Sequence, residues 1–283
     1  MEEKELIKSR SYFVVKDNRL ITHSRYSLSL QQQKLLLYFI SRIKPLDEAY
    51  TEYIFDIKEF LDICGYSRGG SYYQNIKKDI KELGKPLWIE LENGSEELFW
   101  WIRRANINPR SGKIVIGFDY SVSHYLFGLK EKYTQYSLYN VLCLSHKYAI
   151  RLYEYLMVYK QRGTVTVDIS ELRKRVDAEQ STYDKLSNLK NKIIKPSIED
   201  INKYTDIYVD YDFLKPAGSR EYTQIQFTIR YKTIDESVYA NLASNNRLDP
   251  DTRKRSRELE KRLQVARQAR KDLEEIDDED LPD

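Results

Sequence analysis

Apolar positions recur at helical spacing from Leu30 through Leu35, Leu36, Phe39, Ile40 and Ile43, with Ser29 placed to cap the helix and Pro45 to stop it. The run Tyr53-Ile54-Phe55 then predicts a strand, and Asp56 caps a short helix whose apolar face is Ile57, Phe60, Leu61 and Ile63. Gly65 ends that helix and Ser67-Arg68-Gly69-Gly70 turns the chain. A further helix is predicted from Ser71 to Leu83, burying Tyr73, Ile76, Ile80 and Leu83 and closed by Gly84. Three strands follow, Pro86 to Leu91, Leu98 to Ile102 and Lys113 to Phe118, joined by turns at Glu92-Asn93-Gly94 and Asn108-Pro109-Arg110-Ser111-Gly112. Helix, strand, helix, turn, helix and hairpin is the order of a winged helix-turn-helix.

The second half repeats this order. At a constant offset of 110 residues, Ser71 meets Ser181, Tyr73 meets Tyr183, Ile76 meets Leu186, Leu83 meets Ile193, and Lys85-Pro86 meets Lys195-Pro196. Upstream of each copy an apolar segment closes on Asp-Ile, at Asp56-Ile57 and at Asp168-Ile169. Ser145 is placed to cap a long helix carrying Tyr148, Leu152, Tyr155, Leu156 and Tyr159, which runs to Gly163. Thr164 to Val167 is a strand, and Ile169, Leu172 and Val176 mark the next helix. Ser181 to Tyr204 is predicted as one helix, bent at Pro196, and the strands Ile207 to Phe213 and Tyr222 to Tyr231 supply a second wing. Between the halves, Tyr120 to Leu129 is expected as a helix and Lys130 to Tyr136 as a linker.

The fold class is therefore α+β, two tandem winged-helix domains related by an internal repeat. The expected division is an arm over 1–17, a first domain over 18–130, a second over 131–232 and a charged, partly disordered tail over 233–283.

Charge adds a direction to this picture. Residues 233–283 hold 10 Lys/Arg against 14 Asp/Glu, which leaves 37 against 30, an excess of +7, on residues 1–232 of this 283-residue chain. A basic body and an acidic tail suggest a polyanionic partner for the body. The longest apolar runs are only a few residues and Met1-Glu2-Glu3-Lys4 opens no export signal, so no membrane contact and a cytoplasmic location are expected. Cys64 and Cys143 stand apart and are read as small apolar residues.

Catalytic chemistry finds little support. His23, His124 and His146 are isolated, so no histidine pair holds a cation beside a nucleophilic tyrosine, and no phosphate-binding glycine loop precedes a Lys-Ser/Thr pair. The acidic run Asp277-Asp278-Glu279-Asp280 is a solvated stretch of the tail. The chain is expected not to be an enzyme and to need no metal or other cofactor.

DNA reading is better supported. With Leu186, Leu189 and Ile193 as the buried stripe, the opposite face of the second copy's helix carries Ser181, Asp184, Ser187, Asn188, Asn191 and Lys195, flanked by Lys185 and Lys192. Asn can bond bidentately to adenine, and Lys neutralises phosphate or reaches guanine. The preceding helix adds Arg173, Lys174 and Arg175, which a helix-turn-helix would aim at the backbone. In the first copy, Ser71, Gln74, Asn75, Lys78 and Lys81, with Arg68 in the turn, are the outward set, and both DNA contact and a structural or dimerising role fit them.

Two groups of segments resemble a known family. In the first domain they are Val14-Val15-Lys16-Asp17-Asn18-Arg19-Leu20-Ile21 and Tyr26-Ser27-Leu28-Ser29-Leu30-Gln31-Gln32-Gln33-Lys34-Leu35-Leu36-Leu37. In the second they are residues 145–156, Ile169-Ser170-Glu171-Leu172-Arg173, and Lys195-Pro196-Ser197-Ile198-Glu199-Asp200-Ile201-Asn202. Together they resemble the plasmid replication initiators built from two winged-helix domains, which bind repeated origin sequences called iterons, and the match covers about residues 14–231.

The resemblance implies that the second domain carries the main sequence recognition and that the first adds DNA contacts and forms the interface of a dimer. It implies double-stranded origin DNA as a partner, local melting with the host initiator ATPase, loading of the replicative helicase, and repression of the protein's own promoter by dimers. Other readings stand beside it: a winged-helix transcriptional repressor without initiator activity, a strand-nicking replication enzyme, and a protein-interaction module.

Overall fold

In this computed structural model the described residues are 12–240, apart from 67–69, 91–93, 109, 217, 219, 234–235 and 238–239. Most of the arm, the tail from 241 onward and Arg68 therefore lie outside the described residues.

The first strand, β1 (Phe13–Asp17), leads into a one-turn helix α1 (Asn18–Thr22), where the Asp17 carboxylate accepts the Arg19 N–H at 2.7 Å. After β2 (Ser24–Arg25) comes α2 (Leu30–Ile40). Ser29 caps α2 as its sequence predicts: its hydroxyl accepts from the Gln32 N–H at 3.2 Å, and the Gln32 side chain accepts from the Ser29 N–H at 2.9 Å. Ser29→Ala should cost about 1 kcal/mol of stability in a urea titration, and a loss below the measurement error would mean that packing alone sets this helix start.

Next come β3 (Glu52–Asp56) and α3 (Ile57–Ile63), capped by Asp56 through the Lys58 N–H at 2.7 Å, then α4 (Gly70–Leu83). Tyr38, Phe39, Phe55 and Phe60 interlock in the core, with Phe39 and Phe55 centroids 4.5 Å apart.

Four strands, not the three expected, complete the first winged helix: β4 (Pro86–Glu90), β5 (Glu96–Trp100), β6 (Ile102–Asn108) and β7 (Lys113–Phe118). They sit in two antiparallel sheets ordered β2-β4-β5 and β3-β7-β6. The additional strand β6 is an edge strand with Arg103, Arg104, Ala105 and Asn106 all exposed, so it lacks the apolar alternation by which a half-buried strand is recognised.

The connection between the halves also differs from expectation. Helix α5 (Tyr120–Ser123) is a single turn, and Gly128, at φ +60°, turns the chain before Leu129. The segment expected as a linker holds a strand, β8 (Tyr133–Ser137), paired antiparallel with β1. A short helix α6 (Leu138–Leu142) precedes α7 (Lys147–Tyr159). Ser145 does not cap α7; His146 occupies that position, and both the N–H and the hydroxyl of Ser145 donate to Asp200 at 2.6 Å.

Every residue of α7 from Ala149 to Met157 is buried, polar Arg151 and Glu154 included, so elements of both halves surround the helix. Lys16 on β1 lies 2.5 Å from Glu154, which also accepts from the Tyr136 hydroxyl.

The second winged helix follows with β9 (Thr164–Asp168) and α8 (Ile169–Arg175). The expected continuous helix over 181–204 is instead four pieces: a 3₁₀ turn at Ser181–Tyr183, α9 (Leu186–Leu189), a π turn over Lys190–Ile194 and α10 (Lys195–Tyr204). Pro196 supplies the reason for the π turn. Its ring crowds the carbonyl four residues back and offers that carbonyl no N–H, and a wider turn, closed by the Lys195 N–H on the Lys190 carbonyl, accommodates both effects. Strands β10 (Ile207–Leu214) and β11 (Gln224–Tyr231) form the second wing in a sheet ordered β10-β11-β9. The molecule is thus two winged helices in tandem, of the α+β class.

Candidate nucleic-acid interface

Both helix-turn-helix units turn by the same backbone device. In the first, the Tyr66 N–H bonds the Leu61 carbonyl at 2.9 Å around Gly65, whose φ is +67°. In the second, the Ala178 N–H bonds the Arg173 carbonyl at 2.8 Å around Asp177, at φ +61°. The left-handed position is natural for glycine and strained for aspartate.

Beyond that turn, Leu189, Ile193 and Ile194 anchor the second unit's reading element in the core. Ile193 and Ile194 close the π turn, which shifts the helical phase by one residue. Outward, Ser181, Asp184, Lys185, Ser187, Asn191, Lys192 and Lys195 are all exposed. Lys190 joins them, its ammonium 5.9 Å from the centroid of the Phe213 ring on the wing. A straight helix would have set Lys190 near the buried stripe, so sequence spacing did not single it out; the π turn starts at that residue. The wing adds Lys215, 4.4 Å from the centroid of the exposed Tyr222 ring.

Several predicted residues are engaged within the protein, among them Asp184, which accepts from Arg173, and Lys195, 4.0 Å from Glu199. Asn188 is half-buried and donates from its amide to the Thr182 carbonyl at 2.8 Å, bracing the 3₁₀ turn. Arg173 donates to the carbonyl of Ala178 and to Asp184, at 3.1 and 2.6 Å, which ties α8 to the start of the reading element. Arg175 points toward the first domain, donating to the Thr22 carbonyl at 2.8 Å. Lys174 pairs with Glu171 at 2.9 Å and is half-exposed; that contact holds the Glu171 carboxyl below its ordinary value.

On the first unit, Gln74, Asn75, Lys78 and Lys81 line the exposed side of α4, joined by Lys77. Ile76, Ile80 and Leu83 are buried behind them, while Tyr73, like its counterpart Tyr183, is half-buried. Arg68 and the side chain of Ser71 lie outside the described residues.

Among the described residues no group of three His, Cys, Asp or Glu side chains could hold a metal ion, and no helix is long and apolar enough to cross a membrane.

Comparison with known proteins bears on both winged helices. Residues 13–157 match the family described as initiator replication protein, WH1, and residues 168–229 match initiator Rep protein, WH2. An uncharacterised 27.6 kDa protein of Escherichia coli is 26% identical over 211 residues, covering 70% of this chain and 88% of the relative. A replication initiation protein of Escherichia coli is also 26% identical over 211 residues, and the chain covers 65% of that relative's length. The crystal structure of the Pi initiator protein in complex with iteron DNA superposes with a TM-score of 0.65 at 17% identity, covering 79% of this chain and 98% of that one, a likeness of fold.

Proposed function

The chain belongs to the initiator replication protein family, with WH1 and WH2 in tandem, and from that membership we propose that it binds repeated sequences at a replication origin and starts replication there. The observation that carries this reading is the exposed row Lys185, Lys190, Asn191, Lys192 and Lys195 on the reading element of the second winged helix. Lysines on both sides of one asparagine suit a helix lying in a major groove, with phosphate contacts that position it and a base contact that specifies. The Pi initiator, which shares the fold, was crystallised with iteron DNA, and we take iterons as the DNA class here.

In this proposal the residues that meet DNA are those exposed on the second reading element together with Gln74, Asn75, Lys78 and Lys81 on α4. The protein acts without catalysis of its own: it opens the origin with the host initiator ATPase, recruits the replicative helicase, and as a dimer through its first domain represses its own promoter. The edge strand β6 and the exposed Trp88 and Trp100 of the first domain offer surface for such contacts.

The test is equilibrium binding of the full chain to the repeats flanking its gene and to random duplex, over a salt series. A preference for the repeats is expected, with log K falling against log salt by about 0.9 for each phosphate neutralised, or roughly 3 to 4 from the four lysines of the row. Equal affinity for both duplexes at physiological salt would end the proposal.

A further inference from the structure

One stretch of the first domain, Thr22 to Gln33, is fastened to the second helix-turn-helix at several points. Arg151, 4% exposed on α7, donates to the Ser24 carbonyl at 2.8 Å and to the Arg175 carbonyl at 2.9 Å, and its guanidinium lies 4.0 Å from the centroid of the Tyr26 ring. Arg175 reaches the Thr22 carbonyl. Asp177, in the turn of the second unit, accepts from the Ser27 hydroxyl at 2.8 Å and from the Lys147 ammonium at 2.6 Å. Gln33 donates to the Lys147 carbonyl at 3.2 Å. The same stretch also holds the first reading helix, because Gln32 donates to Asp79 on α4 at 3.0 Å.

The first reading helix is thus tied, through a common turn of chain, to α7, to α8 and to the turn that leads into the second reading element, whose start α8 holds through the Arg173–Asp184 bond. Asp177 carries a second indication. It adopts the left-handed conformation that Gly65 adopts in the first unit, a conformation in which glycine is the least strained residue. Nothing in the turn itself needs a carboxylate. The carboxylate is what Ser27 and Lys147 bind.

We propose that this fastening is a spacing gauge, in which Arg151 and Asp177 act as positioning residues that hold the two reading helices at one separation and one rotation, so that the protein selects DNA by the distance between its two contacted segments as well as by their sequence. The inference rests on the reading that both helices meet DNA. One inserted base pair moves the second segment by about 3.4 Å and turns it by roughly 35°. A body braced by these charge-assisted bonds, of which those from Arg151 to Ser24 are buried, can follow that displacement only by breaking them.

The experiment measures binding of the full-length protein to its origin repeat and to repeats with one base pair inserted or removed between the segments that footprinting assigns to the two domains. The wild-type protein should lose at least about tenfold on either change, comparable to the loss from a mismatched base pair. Asp177→Gly keeps a residue suited to the turn and removes the carboxylate, while Arg151→Met removes the fork at the centre of the contact. Both should shrink the spacing penalty to about threefold or less, and Asp177→Asn, which keeps an acceptor for Ser27 but not the charge, should fall between. Thermal melting of each variant separates lost folding from lost gauging, and if Arg151→Met does not fold, the Asp177 pair carries the test.

A spacing penalty unchanged in folded Asp177→Gly would overturn the gauge, as would a wild-type protein indifferent to spacing; in both cases origin binding itself stands. Failure of the wild-type protein to prefer its repeat over random duplex would instead remove the functional reading and the gauge together.

Discussion

Glu154→Gln should destabilise the protein by about 3–5 kcal/mol, because it leaves the Lys16 ammonium buried without its counter-charge. The two side chains are 0% and 1% exposed and 2.5 Å apart, one on the strand that opens the described chain and the other on α7. The Tyr136 hydroxyl donates to the same carboxylate, and burial followed by the Glu154 charge pushes that phenol well above its ordinary value, so it remains a donor at all working pH. A pair of this kind contributes little net stability against an apolar replacement, yet breaking one side of it is costly. Lys16→Met with Glu154→Gln, which retains an acceptor for Tyr136, should therefore recover much of the loss. A double-mutant cycle in urea gives the result directly: a coupling below about 1 kcal/mol would show that solvent or rearrangement satisfies the lone lysine.

This pair was not legible in the sequence, although both residues were in view. Lys16 and Glu154 lie in segments that helped to identify the family, but nothing in their local spacing says that they meet. The same holds for Arg151 and Ser24, and for Ser27 and Asp177. What local physics determines was readable: Ser29 and Asp56 cap their helices, Gly65 ends α3, and Ile76, Ile80 and Leu83 are buried as their period requires. What depends on the neighbour was not. Strand β6 is polar on an edge, and the strand β8 exists because β1 lies beside it. Pro196 signalled a bend, and the structure resolves the bend into a π turn placed before the proline. The candidate site differs from the sequence reading in two residues as well: Lys190 is exposed and joins it, while Asn188 is held by the Thr182 carbonyl.

Replacing Lys185, Lys190, Lys192 and Lys195 together with alanine should reduce origin binding at physiological salt by about 10³-fold and flatten the salt dependence by nearly 4 units. The magnitude follows from counterion release: each neutralised phosphate contributes about 0.9 to the slope, and four of them, extrapolated from 1 M salt where the effect vanishes, give roughly three decades at 0.15 M. All four side chains are exposed, so their removal should leave the melting temperature almost unchanged. The two asparagines of the element should then separate by role. Asn191 is exposed, and Asn191→Ala should lower discrimination between origin and random duplex by about 1–3 kcal/mol with little change in the salt slope. Asn188 gives its amide hydrogen to the Thr182 carbonyl, and Asn188→Ala should cost about 1 kcal/mol of stability and weaken both duplexes alike. If Asn188→Ala relaxed discrimination and Asn191→Ala did not, the element would have to turn about its axis on DNA, and the phase set by the π turn would not be the one that meets the bases.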